Sequence, residues 1–133
     1  DLVSLGIKGI LFVAHLGKFI KVAGGIMNTH SRCADSRAEI MASNAIRAGV
    51  SLETAKKLLD TVTTDEAVSI LNKTGQTEAV MKKVTEKIRF YLQNRANGMI
   101  ETEAVIFSNE HGFLGKTEGA DRLLDEIKAD EKR

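Results

Sequence analysis

Gly9-Ile10-Leu11-Phe12-Val13-Ala14, running straight into His15-Leu16-Gly17-Lys18, is the stretch that decides the fold. Its first part is a short unbroken apolar run, which suits a strand buried on both faces in a parallel sheet covered by helices. Its second part is a tight turn into a short helix carrying Phe19, Val22, Ala23 and Ile26. Gly24-Gly25 should end that helix, since each glycine costs about 1 kcal/mol against alanine in a helix interior. A buried strand feeding a helix through a glycine turn is the signature of an α/β domain.

Outward from this unit the chain is mainly helical. Ser31 is a candidate N-cap for a helix from Arg32 to Ala48, with Gly49 as its stop and alanines 34, 38, 42, 45 and 48 forming a thin face for close packing. Ser51 can cap a third helix through Leu58 and Leu59. Thr63-Thr64-Asp65-Glu66 has the form of a capping box for a fourth, ended by Gly75. Val80, Val84, Ile88 and Leu92 recur at four-residue steps in the longest periodic segment, Thr77 to Ala96, with Gly98 beyond it. Ala104-Val105-Ile106-Phe107 is the second strand candidate. Ser108-Asn109-Glu110-His111-Gly112 reads as a turn, and a last helix is expected from Gly119 to Ala129.

Two strands about ninety residues apart cannot form a self-sufficient sheet, because three or more strands or good helix cover are normally needed. Leu2, Val3 and Leu5 before Gly6 resemble the last turn of a helix with a glycine cap, and the first residue is aspartate. The expectation is therefore a single α/β domain over residues 1–133. It should be helix-rich with few, mostly parallel strands, and completed by further parts of a longer parent protein.

Composition narrows the classes. Hydrophobic residues make up 43% and charged residues 28% of the 133, a globular balance. A net charge of +1 provides no whole-protein field toward nucleic acid or membrane, so neither is an expected partner. One cysteine cannot form an internal disulfide, and the longest apolar run is far short of a membrane span. A soluble cytoplasmic domain is the expectation; a homo-oligomer is compatible with it. With no proline, glycines and polar caps must supply the turns.

The residues suited to chemistry gather between His15 and Glu39. The carboxyl end of a parallel strand is where α/β proteins place ligands, and the next helix start offers free N–H groups. Gly17 lets backbone approach a ligand, and Lys18 and Lys21 add positive charge for a phosphate or carboxylate. A second cluster, Asn28-Thr29-His30-Ser31-Arg32 with Asp35, Arg37 and Glu39, places hydroxyls, a histidine and two arginines at one helix start. The plainer account is a strand-to-helix turn followed by a capped helix with surface ion pairs. His15, His30 and His111 are scattered, so no metal site is predicted. Cys33 reads as a small buried hydrophobe. Lys82, Lys83, Lys87, Arg89 and Arg95 form a solvated basic face on the long helix.

His15-Leu16-Gly17-Lys18-Phe19-Ile20-Lys21-Val22-Ala23-Gly24-Gly25, then Thr29-His30-Ser31, then Ala34-Asp35-Ser36-Arg37-Ala38-Glu39, resembles the CbiD family of cobalamin biosynthesis. That family follows the pattern G-H-x-G-K-x-x-K-x-A-x-G, T-H-S, A-D-x-R-x-E; Ala14 stands where it often has glycine. Its members are cobalt-precorrin-5B C(1)-methyltransferases, and this stretch looks like their C-terminal portion. The resemblance implies methyl transfer from S-adenosylmethionine to C-1 of a cobalt-corrin precursor, with this chain inactive alone. A corrin precursor bears many carboxylates, for which Lys18, Lys21, Arg32 and Arg37 are fitting partners, joined by Thr29, His30, Ser31 and Asp35. His15 and Gly17 would face the cofactor. Two readings of other classes compete with this one. One is a phosphate- or nucleotide-binding domain built on the Gly17-Lys18 turn; the other is a helical interaction module without chemistry.

Overall fold

The computed structural model describes residues 9–26, 36–97 and 99–131. Their elements run β1 (Gly9–His15), α1 (Leu16–Ala23), α2 (Arg37–Arg47), α3 (Leu52–Leu59), α4 (Thr64–Thr74), α5 (Thr77–Arg95), β2 (Glu101–Ser108), β3 (Gly112–Lys116) and α6 (Ala120–Glu131). The architecture is helix-rich α/β, as the strand-turn-helix unit predicts. The expected helix end at Leu2–Gly6 and the cap at Ser31 lie outside the described residues.

The three strands form one sheet in the order β1-β2-β3. β1 and β2 are parallel, in register from Gly9 opposite Glu101 to His15 opposite Phe107. β2 and β3 are antiparallel, joined by a turn through Asn109–His111 and a left-handed Gly112 (φ 73°). β3 is a correction to the two-strand reading. Its sequence, Gly-Phe-Leu-Gly-Lys, carries two glycines and too few β-branched or aromatic residues to stand out, and its partner strand recruits it.

A second correction concerns β1. Among the described residues it lies at the edge of the sheet, where Phe12 is 37% and Val13 67% exposed, and they do not cover it on both faces. The most buried strand is β2, with Thr102, Ala104, Ile106 and Ser108 inside on one face and Glu103 on the other. Position in the strand order decides this, and an apolar run cannot report it.

α1 and α5 cover one face of the sheet. Leu16 and Ile20 of α1, Val80, Val84, Ile88 and Leu92 of α5, and Ala104 and Ile106 of β2 share one core. Burying each of these large side chains stabilises the fold by about 1.5–3 kcal/mol. α2 packs behind them through Ile40, Met41, Ala42 and Ala45, two of which belong to the predicted alanine face. On the opposite face α6 lies over the beginnings of β1 and β2: Leu123 presses so closely on Gly9 that a Cβ there would overlap it, and Arg122 pairs with Glu101.

α2 begins at Arg37 behind Ser36, later than the expected Arg32, while the caps at Ser51, Thr63, Gly24 and Gly75 fall where the sequence puts them. Ser51 Oγ accepts from Thr54 N at 3.1 Å, and Thr63 Oγ1 from Glu66 N at 3.2 Å. Gly75 ends α4 in the left-handed conformation (φ 71°), and Gly24 caps α1. The chain leaves α5 through Asn97 (φ 53°), a residue type that tolerates this conformation.

Candidate functional site

His15 ends β1 and caps α1. Its Nδ1 accepts a hydrogen bond from Gly17 N at 2.9 Å, so the neutral ring carries its proton on Nε2. The ring also meets Phe107 edge-on, with centroids 5.8 Å apart, across the β1–β2 register. This capping bond is why a histidine followed by glycine makes the turn. A side chain at Gly17 would stand 3.1 Å from His15 Nδ1 and 3.5 Å from Thr64 Oγ1. Glycine therefore leaves room for the His15 ring over the turn, and the Thr64 distance shows that the first turns of α1 and α4 lie side by side.

The start of α2 reaches the same place. Arg37, Ala38 and Met41 line a narrow cleft with Thr61–Thr64 and Ala67, so the first turns of α2 and α4 also meet. Ser36, which precedes α2, makes no side-chain capping hydrogen bond. Three helix N-termini thus gather beside the carboxyl ends of β1 and β2. Each carries partial positive charge from its aligned peptide dipoles and N–H groups that lack an intrahelical acceptor.

The predicted residues divide as follows. His15, Gly17 and Arg37 lie on this edge, and Lys18 is exposed in the first turn of α1. Lys21 is buried at 2% exposure, and both it and Arg37 are engaged with partners within the fold. Thr29, His30, Ser31, Arg32, Asp35 and Cys33 lie outside the described residues. Segment 27–35 leads directly into Ser36 and α2, so the second motif cluster belongs in sequence to the chain entering this edge.

The strongest electrostatic feature was hidden from the sequence. Glu103 is 0% exposed at the middle of β2, and its carboxylate receives Arg89 Nε at 3.0 and 3.1 Å and Nη2 at 3.1 Å. Gly119 N donates to it at 3.3 Å. Burial pushes the Glu103 carboxyl up; hydrogen bonds from Thr117 and Arg89, with the Arg89 charge, more than offset this and hold it below the ordinary carboxylate range. The hydrogen bond that Arg89 donates to Glu103 raises the Arg89 guanidinium in turn. Arg89 is therefore corrected from a member of a solvated face to the partner of a buried acid. The available signal was a glutamate directly preceding the apolar Ala104–Phe107 run.

The roomiest concavities lie elsewhere. Two adjoining grooves of about 720 and 780 Å³ run between α5 and β3 and share Lys82, Thr85 and Lys116. None of the described motif residues lines them. Among the described residues no helix is long and apolar enough to cross a membrane.

Fold and edge together define a helix-rich α/β domain whose helix starts converge beside the carboxyl ends of β1 and β2. Residues 28–118 match the family described as CbiD, C-terminal domain, and the chain belongs to the CbiD family. It is 47% identical over 103 residues to a Ruminiclostridium cellulolyticum protein named cobalt-precorrin-5B C(1)-methyltransferase, covering 77% of this chain and 27% of that one. Proteins of the same name from Clostridioides difficile and Methanococcus maripaludis are 40% and 35% identical, over 91% and 85% of this chain and 30% and 31% of theirs. The chain thus spans about a third or less of the curated relatives it matches. No solved structure is significantly similar to it.

Proposed function

We propose that this chain is the C-terminal part of a methyltransferase acting on C-1 of cobalt-precorrin-5B, and that it supplies part of the substrate site. The single observation that carries this reading is the meeting of the first turns of α1, α2 and α4 at the end of β1, where the described family-motif residues His15, Gly17 and Arg37 stand. A corrin precursor carries many carboxylate arms. Helix N-termini, Arg37 and Lys18 are suitable donors to them, arginine through a two-pronged hydrogen bond and lysine as a point charge. Thr29, His30, Ser31, Arg32 and Asp35 would add polar contacts from the segment that leads into α2, and Lys21 would brace α1 from inside.

The methyl donor is S-adenosylmethionine, whose sulfonium supplies the methyl group. Its own carboxylate fits the same edge at the start of α2, which has no side-chain cap. In-line placement of donor and ring carbon needs positioning more than a protein nucleophile, which agrees with an edge built from caps and cations. The rest of the parent would complete the site, leaving the isolated chain without activity.

The test is a titration of the full-length parent with its corrin substrate. Lys18→Ala and Arg37→Ala should each weaken binding about tenfold, the scale of one charge-assisted hydrogen bond. Lys82→Ala and Lys116→Ala, in the α5–β3 grooves, should leave it unchanged. The opposite pattern would move the substrate to those grooves, and unchanged affinity in all four would remove this domain from substrate binding.

A further inference from the structure

The fold brings together three residues that their sequence spacing keeps apart. Asp65 lies in the first turn of α4, and Glu110 and His111 lie in the turn between β2 and β3. One carboxylate oxygen of each acid and a ring nitrogen of His111 stand within 4.8 Å of one another. His111 is 46 positions from Asp65, so no local motif could announce the group.

We infer that Asp65, Glu110 and His111 form a binding site for a first-row divalent transition-metal ion. The His111 ring is already oriented for it. Nε2 lies 3.2 Å from the Asp65 carbonyl oxygen and 3.2 Å from Ser69 Oγ. A proton on Nε2 donated to that carbonyl leaves the Nδ1 lone pair as the ligand. This is the arrangement in which a backbone carbonyl fixes the tautomer of a metal-bound histidine. Asn72 Nδ2, 3.4 Å from Nδ1, holds that lone pair by a long hydrogen bond that a metal would replace.

Asp65 provides an independent argument. Its Oδ1 is buried and has no hydrogen-bond partner among the described residues. An acceptor left so carries a desolvation penalty, and a bound cation would remove it. Glu110 is exposed on the turn, so its side chain is free to close the distance from the present spacing to ligand contact. One imidazole and two carboxylates suit zinc or manganese better than calcium, which prefers an all-oxygen set. The ion would fasten the β2–β3 turn to α4 at the sheet end that also holds His15 (Phe107 lies opposite it). This inference does not depend on the methyl-transfer reading.

Calorimetric titration of the chain with zinc, and loss of the free-ion electron paramagnetic resonance signal with manganese, test it. The wild type should bind one ion, and Asp65→Asn, Glu110→Gln and His111→Gln should each weaken binding at least about tenfold, since even outer partners of a metal site are worth 10–100-fold. Glu110→Gln is the decisive variant, because it changes an exposed side chain and leaves the His111 contacts in place. Cys33→Ser and His30→Gln should bind as the wild type does. Absence of saturable binding by the wild type, unchanged affinity in Glu110→Gln or His111→Gln, or loss of binding in Cys33→Ser would overturn the assignment.

Discussion

At the scale of single residues, the pair Arg89–Glu103 is where a small change should be felt most. Arg89→Ala leaves a fully buried carboxylate without its partner, a situation that costs about 3–5 kcal/mol when both groups are buried. Arg89 keeps 35% of its side chain in water, so the loss should be nearer 2 kcal/mol, read as a lower urea midpoint. The pH dependence follows from the same pair. Glu103 is held below its unfolded value, near 4.3, so its contribution is present above that value and is lost as pH falls through the lower, folded one. The acid limb of the stability profile should therefore be shallower in Glu103→Gln than in the wild type. Equal acid limbs would remove the pair from the stability of the fold. None of this could be read along the chain, because Arg89 and Glu103 belong to different elements and meet only when α5 lies on the sheet. His15 was legible from its place before glycine, yet its capping bond and its contact with Phe107 needed β2 beside β1.

At the scale of elements, α5 carries the clearest division between inside and outside. Val80, Val84, Ile88 and Leu92 are buried, whereas Phe90, two residues from Ile88, is 55% exposed. Ile88→Ala should cost about 2–5 kcal/mol through lost burial and a residual cavity, and Phe90→Ala well under half as much. Similar losses in chemical unfolding would mean that the helix faces are wrongly assigned. The helices were legible because their periodicity and their caps at Ser51, Thr63 and Gly75 are local signals. The strands were less so. β2 was recognised only in its apolar middle, since Glu101, Thr102 and Glu103 break the pattern, and β3 became a strand through its pairing with β2.

At the scale of the whole molecule, the sheet is incompletely covered. Val13, 67% exposed, stands on the face that α6 covers only in part, and among the described residues β1 has a neighbour on one side alone. An edge strand with exposed apolar side chains is a surface that proteins normally cover or pair. If the remaining length of the parent covers it, backbone amides of β1 should exchange with deuterium faster in the isolated chain than in the full-length protein. Equal exchange in the two would place the rest of the parent elsewhere and leave β1 an edge in the full-length protein.

The sequence by itself determined the local matter: where helices start and stop, which face of each is apolar, and the motif order from His15 to Glu39 that marks the family. These depend on contacts within a few residues, and their signals lie side by side in the chain. Only the tertiary structure decided that β1 is an edge, that β3 exists, that Arg89 neutralises Glu103, and that Asp65 faces His111. Each of these is a pairing between distant segments. Packing selects which segments meet, and the residues on either side carry no separate record of the partner they will find.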